Sequence, residues 1–210
     1  MQTAVFSKLR DIETYRAKLR QKRGRRILGL DFGRSCGVAI IDFTATTPNK
    51  VQLLLGQWDL SLGRYDSGPT QFIRLKQLLL ATAPDLIAFE DVKFSGSKER
   101  YVGRTSVQAI LARAATAIEF LGGLKIVTTT WAEEQNTPAV GYGIGEIKKA
   151  ATGKGNANKV AMIKACNEKF GTELDPADYQ TTGVDNMADA AFVAYLGFEE
   201  YGAALIGEQR

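Results

Sequence analysis

Apolar residues along this 210-residue chain recur with two different periods, and each change of period marks a new element. Ile27-Leu28-Gly29-Leu30-Asp31-Phe32 is an apolar run of strand length, bounded by Gly33. Cys36 to Phe43 makes a second run, and Gly33-Arg34-Ser35 between them reads as a tight hairpin. Val51 to Trp58 is a third strand after a turn at Pro48-Asn49, which completes an antiparallel meander. A helix is expected from Ser67-Gly68-Pro69, with Ser67 as its cap and Phe72, Leu75, Leu79 and Leu80 as its inner face. Asp85 to Glu90 is a fourth strand, followed by a polar, basic loop over 94–104. Val107, Ile110, Leu111, Ala114, Ile118 and Leu121 form a helical stripe that Gly122-Gly123 is expected to stop. The β-branched run Leu124 to Thr130 is then the expected fifth strand. Trp131 to Gly155 is irregular. Val160, Ile163, Cys166 and Phe170 mark a further helix between a cap at Asn156 and a stop at Gly171, and 185–201 is the last helix. The order βββαβαβαα is that of an α/β fold, with a five-stranded mixed sheet flanked by helices.

Composition narrows the chemistry more than the fold. Hydrophobic residues at 45% and charged residues at 24% are ordinary for a soluble domain. No apolar run approaches the roughly 18 residues of a membrane span, and Met1–Arg10 lacks a signal-peptide core. Residues 1–26 carry nine Lys or Arg against two acids, a local +7 within a chain whose total is +4. Residues 1–25 are therefore expected to be a basic arm, part helix (Val5, Leu9, Ile12, Leu19), on a domain spanning 26–210. Such arms contact nucleic acid or are simply solvated. Cys36 and Cys166 are isolated, which suits a reducing cytoplasm rather than a disulfide scaffold. The chain has no histidine, which removes His-based triads and His-type zinc sites. A metal here would take oxygen ligands, favouring Mg²⁺ or Mn²⁺.

Four acids stand where charge is costly. Asp31 lies between Leu30 and Phe32, and Glu90 ends the apolar fourth strand. Asp185 and Asp189 are four apart, on one face of the last helix, and Asp189 is surrounded by Met187, Ala188, Ala190, Ala191 and Phe192. Asp185 also reads as a simple helix cap. Pairing of strands one and four would bring Asp31 to Glu90, and the last helix would add the other two. Such carboxylates raise one another's pKa unless cations join them. With two divalent ions they suit in-line phosphodiester hydrolysis. Lys148, Lys149, Lys154 and Lys159 crowd into twelve positions beside Gly153 and Gly155, a segment able to meet a phosphate backbone. Arg34, Ser35, Lys98, Arg100 and Arg104 are further candidates for such contacts.

The strand holding Asp31, the strand Ile87-Ala88-Phe89-Glu90, and Asp185-Asn186-Met187-Ala188-Asp189-Ala190 together resemble the RuvC family of Holliday junction resolvases. Ile147-Lys148-Lys149-Ala150-Ala151-Thr152-Gly153-Lys154-Gly155-Asn156-Ala157-Asn158-Lys159 is similar to the basic Gly-Lys-Gly segment of its phage and plasmid branch. The resemblance spans about residues 25–200. It implies an RNase H-like fold, a homodimer, and Mg²⁺-dependent paired nicks in opposed strands of a four-way DNA junction. Asp31, Glu90 and Asp189 match the family's acids, with Asp185 as the fourth, and Lys154 and Lys159 match its basic positions. Two positions depart from the pattern. No His stands on the last helix, and Lys93 occupies the place of RuvC's aromatic wedge, with Phe94 next.

Other families share parts of this pattern. Leu28-Gly29-Leu30-Asp31-Phe32-Gly33 with Gly37-Val38-Ala39 also resembles the YqgF group, linked to RNA processing, although that group lacks the lysine segment. The Asp-Phe-Gly turn resembles the phosphate loop of actin-like ATPases, which need a duplicated, longer fold. A junction-binding protein without catalysis is a third alternative, disfavoured by the complete set of acids.

Overall fold

The computed structural model describes residues 24–44, 47–91, 107–177 and 179–207. Its elements are β1 (Arg25–Asp31), β2 (Ser35–Thr44), β3 (Thr47–Asp59), α1 (Thr70–Thr82), β4 (Leu86–Glu90), α2 (Val107–Glu134), β5 (Ala139–Tyr142), α3 (Ile144–Thr152), α4 (Lys159–Phe170), α5 (Tyr179–Thr182) and α6 (Val184–Gly207). The sheet order is β3-β2-β1-β4-β5. β1–β2 and β2–β3 are antiparallel, whereas β1–β4 and β4–β5 are parallel. This is the expected five-stranded mixed sheet, a meander joined to two parallel strands.

Alternation along the strands sorts the core into two layers. Leu28, Leu30, Val38, Ile40, Leu54, Ile87 and Phe89 pack with Leu75, Leu79, Leu124 and Trp131 of α1 and α2. Ile27, Ala39, Ile41, Leu53, Leu86 and Ala88 face Ile163 and Cys166 of α4 and the Ala188–Ala194 stretch of α6. Asp31 follows Ile27 and Gly29 in phase, and Glu90 follows Leu86 and Ala88. The pleat alone therefore turns both acids toward α6.

The fifth strand is not where β-branching placed it. Leu124 to Thr130 is helical, and β5 is Ala139–Tyr142. Leu124, Thr128, Trp131 and Ala132 are all buried, a helical spacing that outweighs the weak strand preference of Ile126, Val127 and three threonines. The Thr129 hydroxyl donates back to the Lys125 carbonyl at 3.0 Å, so it is satisfied within the helix. Gly122-Gly123 does not stop the helix. A Cβ on Gly123 would stand 2.5 Å from the Phe72 ring, so glycine there admits α1 against α2.

Smaller corrections have equally local causes. Pro48 and Asn49 lie inside β3, the edge strand, where a missing N–H is tolerated. Ser67 does not cap α1; Pro69 precedes its first turn, and the Ser67 hydroxyl lies 3.3 Å from that of Thr70. Leu80 is 53% exposed, and Leu78 takes the inner position instead. Arg25 and Arg26, counted with the basic arm, belong to β1. Arg25 pairs with Asp85 at 3.1 Å. Arg26 is buried against Asp42 at 2.9 Å and donates to the Thr82 carbonyl at 2.7 Å.

Candidate functional site

Close approach of α6 to the sheet builds the site. A Cβ on Gly37 would lie 2.0 Å from the Asn186 carbonyl oxygen, and one on Gly29 would lie 2.5 Å from that of Ala190. Two glycines in adjacent strands thus let the helix backbone rest on the sheet, and the Asn186 side chain donates to the Ser35 carbonyl at 2.9 Å. Asp185 and Asp189, one turn apart at the start of α6, are thereby set against the ends of β1 and β4.

The four acids act on one another electrostatically. Burial raises the Asp31 carboxyl well above the usual range, and a hydrogen bond with Glu90 and the charges of Glu90, Asp189 and Asp185 raise it further. A hydrogen bond between two carboxyl groups requires a proton on one of them. Burial, then Glu90 and Asp185, push Asp189 up to about 7, against the opposing pull of Lys148 and Lys159. Asp189 Oδ1 is buried without a hydrogen-bond partner. Asp185 is buried and accepts from the Lys159 ammonium, an interaction that holds Lys159 above the usual lysine range. Beneath Asp31, burial and that neighbouring charge push the Cys36 thiol upward.

Such a donor set fits a hard divalent cation by its chemistry: carboxylate oxygens only, one of them orphaned in a buried position. Among the described residues, however, no three His, Cys, Asp or Glu side chains are arranged to hold a metal ion. The acids are arranged instead around a hydrogen bond (Asp31–Glu90) and an ammonium (Lys159).

The basic candidates divide by position. Lys148 and Lys149 sit on α3, Lys148 partly buried and Lys149 exposed, while Lys154 is exposed in the turn before α4. Lys159 opens α4, whose cap is Asn158 rather than Asn156: the Asn158 side chain accepts from the Ala161 N–H at 2.9 Å. Asp185 lies within the first turn of α6, after Gly183 at φ 67°, and not at its cap. Arg34 is exposed at the β1–β2 turn. The Ser35 hydroxyl donates to Gln57 at 2.7 Å, and Gln57 in turn donates to the Thr182 carbonyl at 2.6 Å. Lys98, Arg100 and Arg104, the wedge positions 93 and 94, and the arm over 1–23 lie outside the described residues.

Sequence reasoning missed three contributors. Tyr179 places its ring centroid 5.4 Å from Lys159 Nζ, Asn186 ties α6 to β2, and Gln57 braces Ser35. Asn186 stands between the two aspartates in a stretch already singled out, but nothing around Tyr179 or Gln57 in sequence points to the site.

No family model matches the chain. A protein named crossover junction endodeoxyribonuclease RuvC, from Synechococcus sp. (strain WH7803), is 29% identical over 181 residues, covering 82% of this chain and 97% of that protein. The Thermus thermophilus RuvC structure superposes with a TM-score of 0.53 at 17% identity, covering 86% of this chain and 97% of that one. The structure of T. thermophilus RuvC in complex with Holliday junction substrate gives 0.55 at 19% identity, covering 87% and 97%. No helix among the described residues is long and apolar enough to cross a membrane. The chain thus shares the fold of RuvC along most of its length and is similar in sequence to a RuvC.

Proposed function

We propose that this protein is a structure-selective endodeoxyribonuclease that resolves four-way DNA junctions, and related branched DNA, by paired metal-dependent nicks. The observation that carries this reading is the gathering of Asp31, Glu90, Asp185 and Asp189 at one end of the sheet, beside the lysines of α3 and α4. The Synechococcus relative, named a crossover junction endodeoxyribonuclease, and the T. thermophilus RuvC in complex with a Holliday junction point the same way. Asp31, Glu90, Asp185 and Asp189 are the residues that would hold Mg²⁺, or Mn²⁺ in its place. When bound, the metal supplies Lewis acidity for in-line phosphodiester hydrolysis. The polypeptide supplies the rest. Lys149 and Lys154, exposed on the segment that also carries Lys148 and Lys159, hold the phosphate backbone, and Arg34 adds a contact from the β1–β2 turn. Lys98, Arg100, Arg104 and the basic arm that precedes β1 are further candidates for contacts with phosphate. Two opposed nicks in one junction need two such sites, so the acting species is a homodimer, working in the bacterial cytoplasm.

Incubation with a synthetic mobile four-way junction and Mg²⁺, with both nicks mapped, is expected to show symmetric cuts in opposed strands. An intact junction beside cleaved structured RNA would transfer the assignment to the YqgF-type activity. For the phosphate contacts, Lys154→Ala is expected to weaken junction binding alike for all sequences. It should flatten the dependence of log K on log salt by about 0.9, as for one lost contact. Anisotropy titrations at several salt concentrations measure both.

A further inference from the structure

We infer that Lys159 is the resident counter-ion of the acid cluster, that its ammonium competes with divalent metal for Asp185, and that DNA phosphate favours metal uptake by drawing the ammonium away. The inference rests on the cluster being the metal site proposed above. Asp185 is 4% exposed, yet its partner Lys159 keeps a side chain 59% exposed. A buried carboxylate is thus neutralised by a flexible arm that reaches in from solvent and can withdraw without any backbone movement.

Two further observations bear on this exchange. Asp189, one turn along α6, keeps a buried Oδ1 with no partner, so the cluster is short of positive charge even with Lys159 in place. Lys159 Nζ also lies 5.4 Å from the Tyr179 ring centroid, within cation–π range, which offers the ammonium a resting place beside Asp185. An ammonium and a divalent ion on one carboxylate repel each other, so occupation by one disfavours the other. Phosphate oxygens brought by DNA are alternative acceptors for the displaced ammonium. Linkage then makes the effect reciprocal: DNA raises metal affinity and metal raises DNA affinity by one common factor.

The test begins without DNA. Mn²⁺ binding by isothermal titration calorimetry is compared among wild type, Lys159→Met and Lys159→Gln. Both variants are expected to bind Mn²⁺ more tightly, by up to about fivefold, the worth of a largely exposed ion pair. A second measurement follows the affinity for a linear duplex, which offers phosphates without a crossover, with and without Mn²⁺. The metal should favour binding to the wild type more than to Lys159→Met. Equal or weaker Mn²⁺ binding by both variants overturns the competition, and an equal response of duplex affinity in wild type and variant overturns the coupling. If Mn²⁺ binding tightens as expected but no junction is cut, the proposed activity falls while the competition stands. No Mn²⁺ binding by any of the three proteins sinks both.

Discussion

Asp189→Asn is expected to lower junction cleavage on the order of a thousandfold, about 4 kcal/mol of transition-state stabilisation, while making the metal-free protein more stable at pH 8. The loss follows from removing one charged oxygen donor of the cluster. Junction binding should persist, because neutralising an acid cannot weaken attraction to phosphate. The stability gain follows from the raised pKa. In the fold Asp189 titrates near 7, chiefly through burial and then the charges of Glu90 and Asp185. Once unfolded, it returns to the usual range near 3.9. Between those values the folded chain binds the extra proton, so native stability falls as pH rises through the window and the full penalty applies above it. Asparagine removes the penalty. The gain should be on the order of 2–4 kcal/mol at pH 8, roughly 5–10 °C in Tm, and should vanish near pH 4. Calorimetric melts at the two pH values, beside a junction cleavage assay, measure both halves. A variant cutting at the wild-type rate would remove Asp189 from the machinery.

Gly37→Val is expected to cost about 3 kcal/mol or more in urea unfolding and to lower cleavage by more than a hundredfold. The atom that a Cβ would meet at 2.0 Å is the backbone carbonyl of Asn186, which cannot turn aside as a side-chain tip would. The start of α6 must lift, taking Asp185 and Asp189 away from Asp31. Gly122→Ala is the control. Nothing lies within 4 Å of a Cβ there, inside α2, so the substitution should stabilise by about 0.5–1 kcal/mol. Retention of full activity by Gly37→Val would show that the helix need not rest on the strands.

The acid cluster was legible in sequence because its members are chemically out of place: Asp31 and Glu90 end apolar strands, and Asp189 interrupts an apolar helix. What joins them was legible only in part. Nothing local announces that β1 and β4 pair, although the parity of Ile27, Gly29 and Asp31 fixes the face once they do. The fifth strand was misplaced because β5 has only four residues with Gly141 among them, while Leu124 to Thr130 has strand-like composition with helical burial. By sequence Lys159 is simply basic, which points to DNA. Its salt bridge to Asp185 depends on how α4 packs against α6, which no stretch of sequence encodes alone.

The division of the core by the sheet also bears on how the molecule comes apart. Cys36 is buried in the layer covered by α1 and α2, and Cys166 in the layer covered by α6, so each side of the sheet carries its own thiol. Both thiols are held above the ordinary cysteine range, Cys166 at about 11, and neither meets solvent in the native state. Alkylation of either one therefore waits on a local opening. The two labelling rates are separate clocks, one for each side, and their ratio tells whether the helices that carry Asp185 and Asp189 peel away before or after those on the far side.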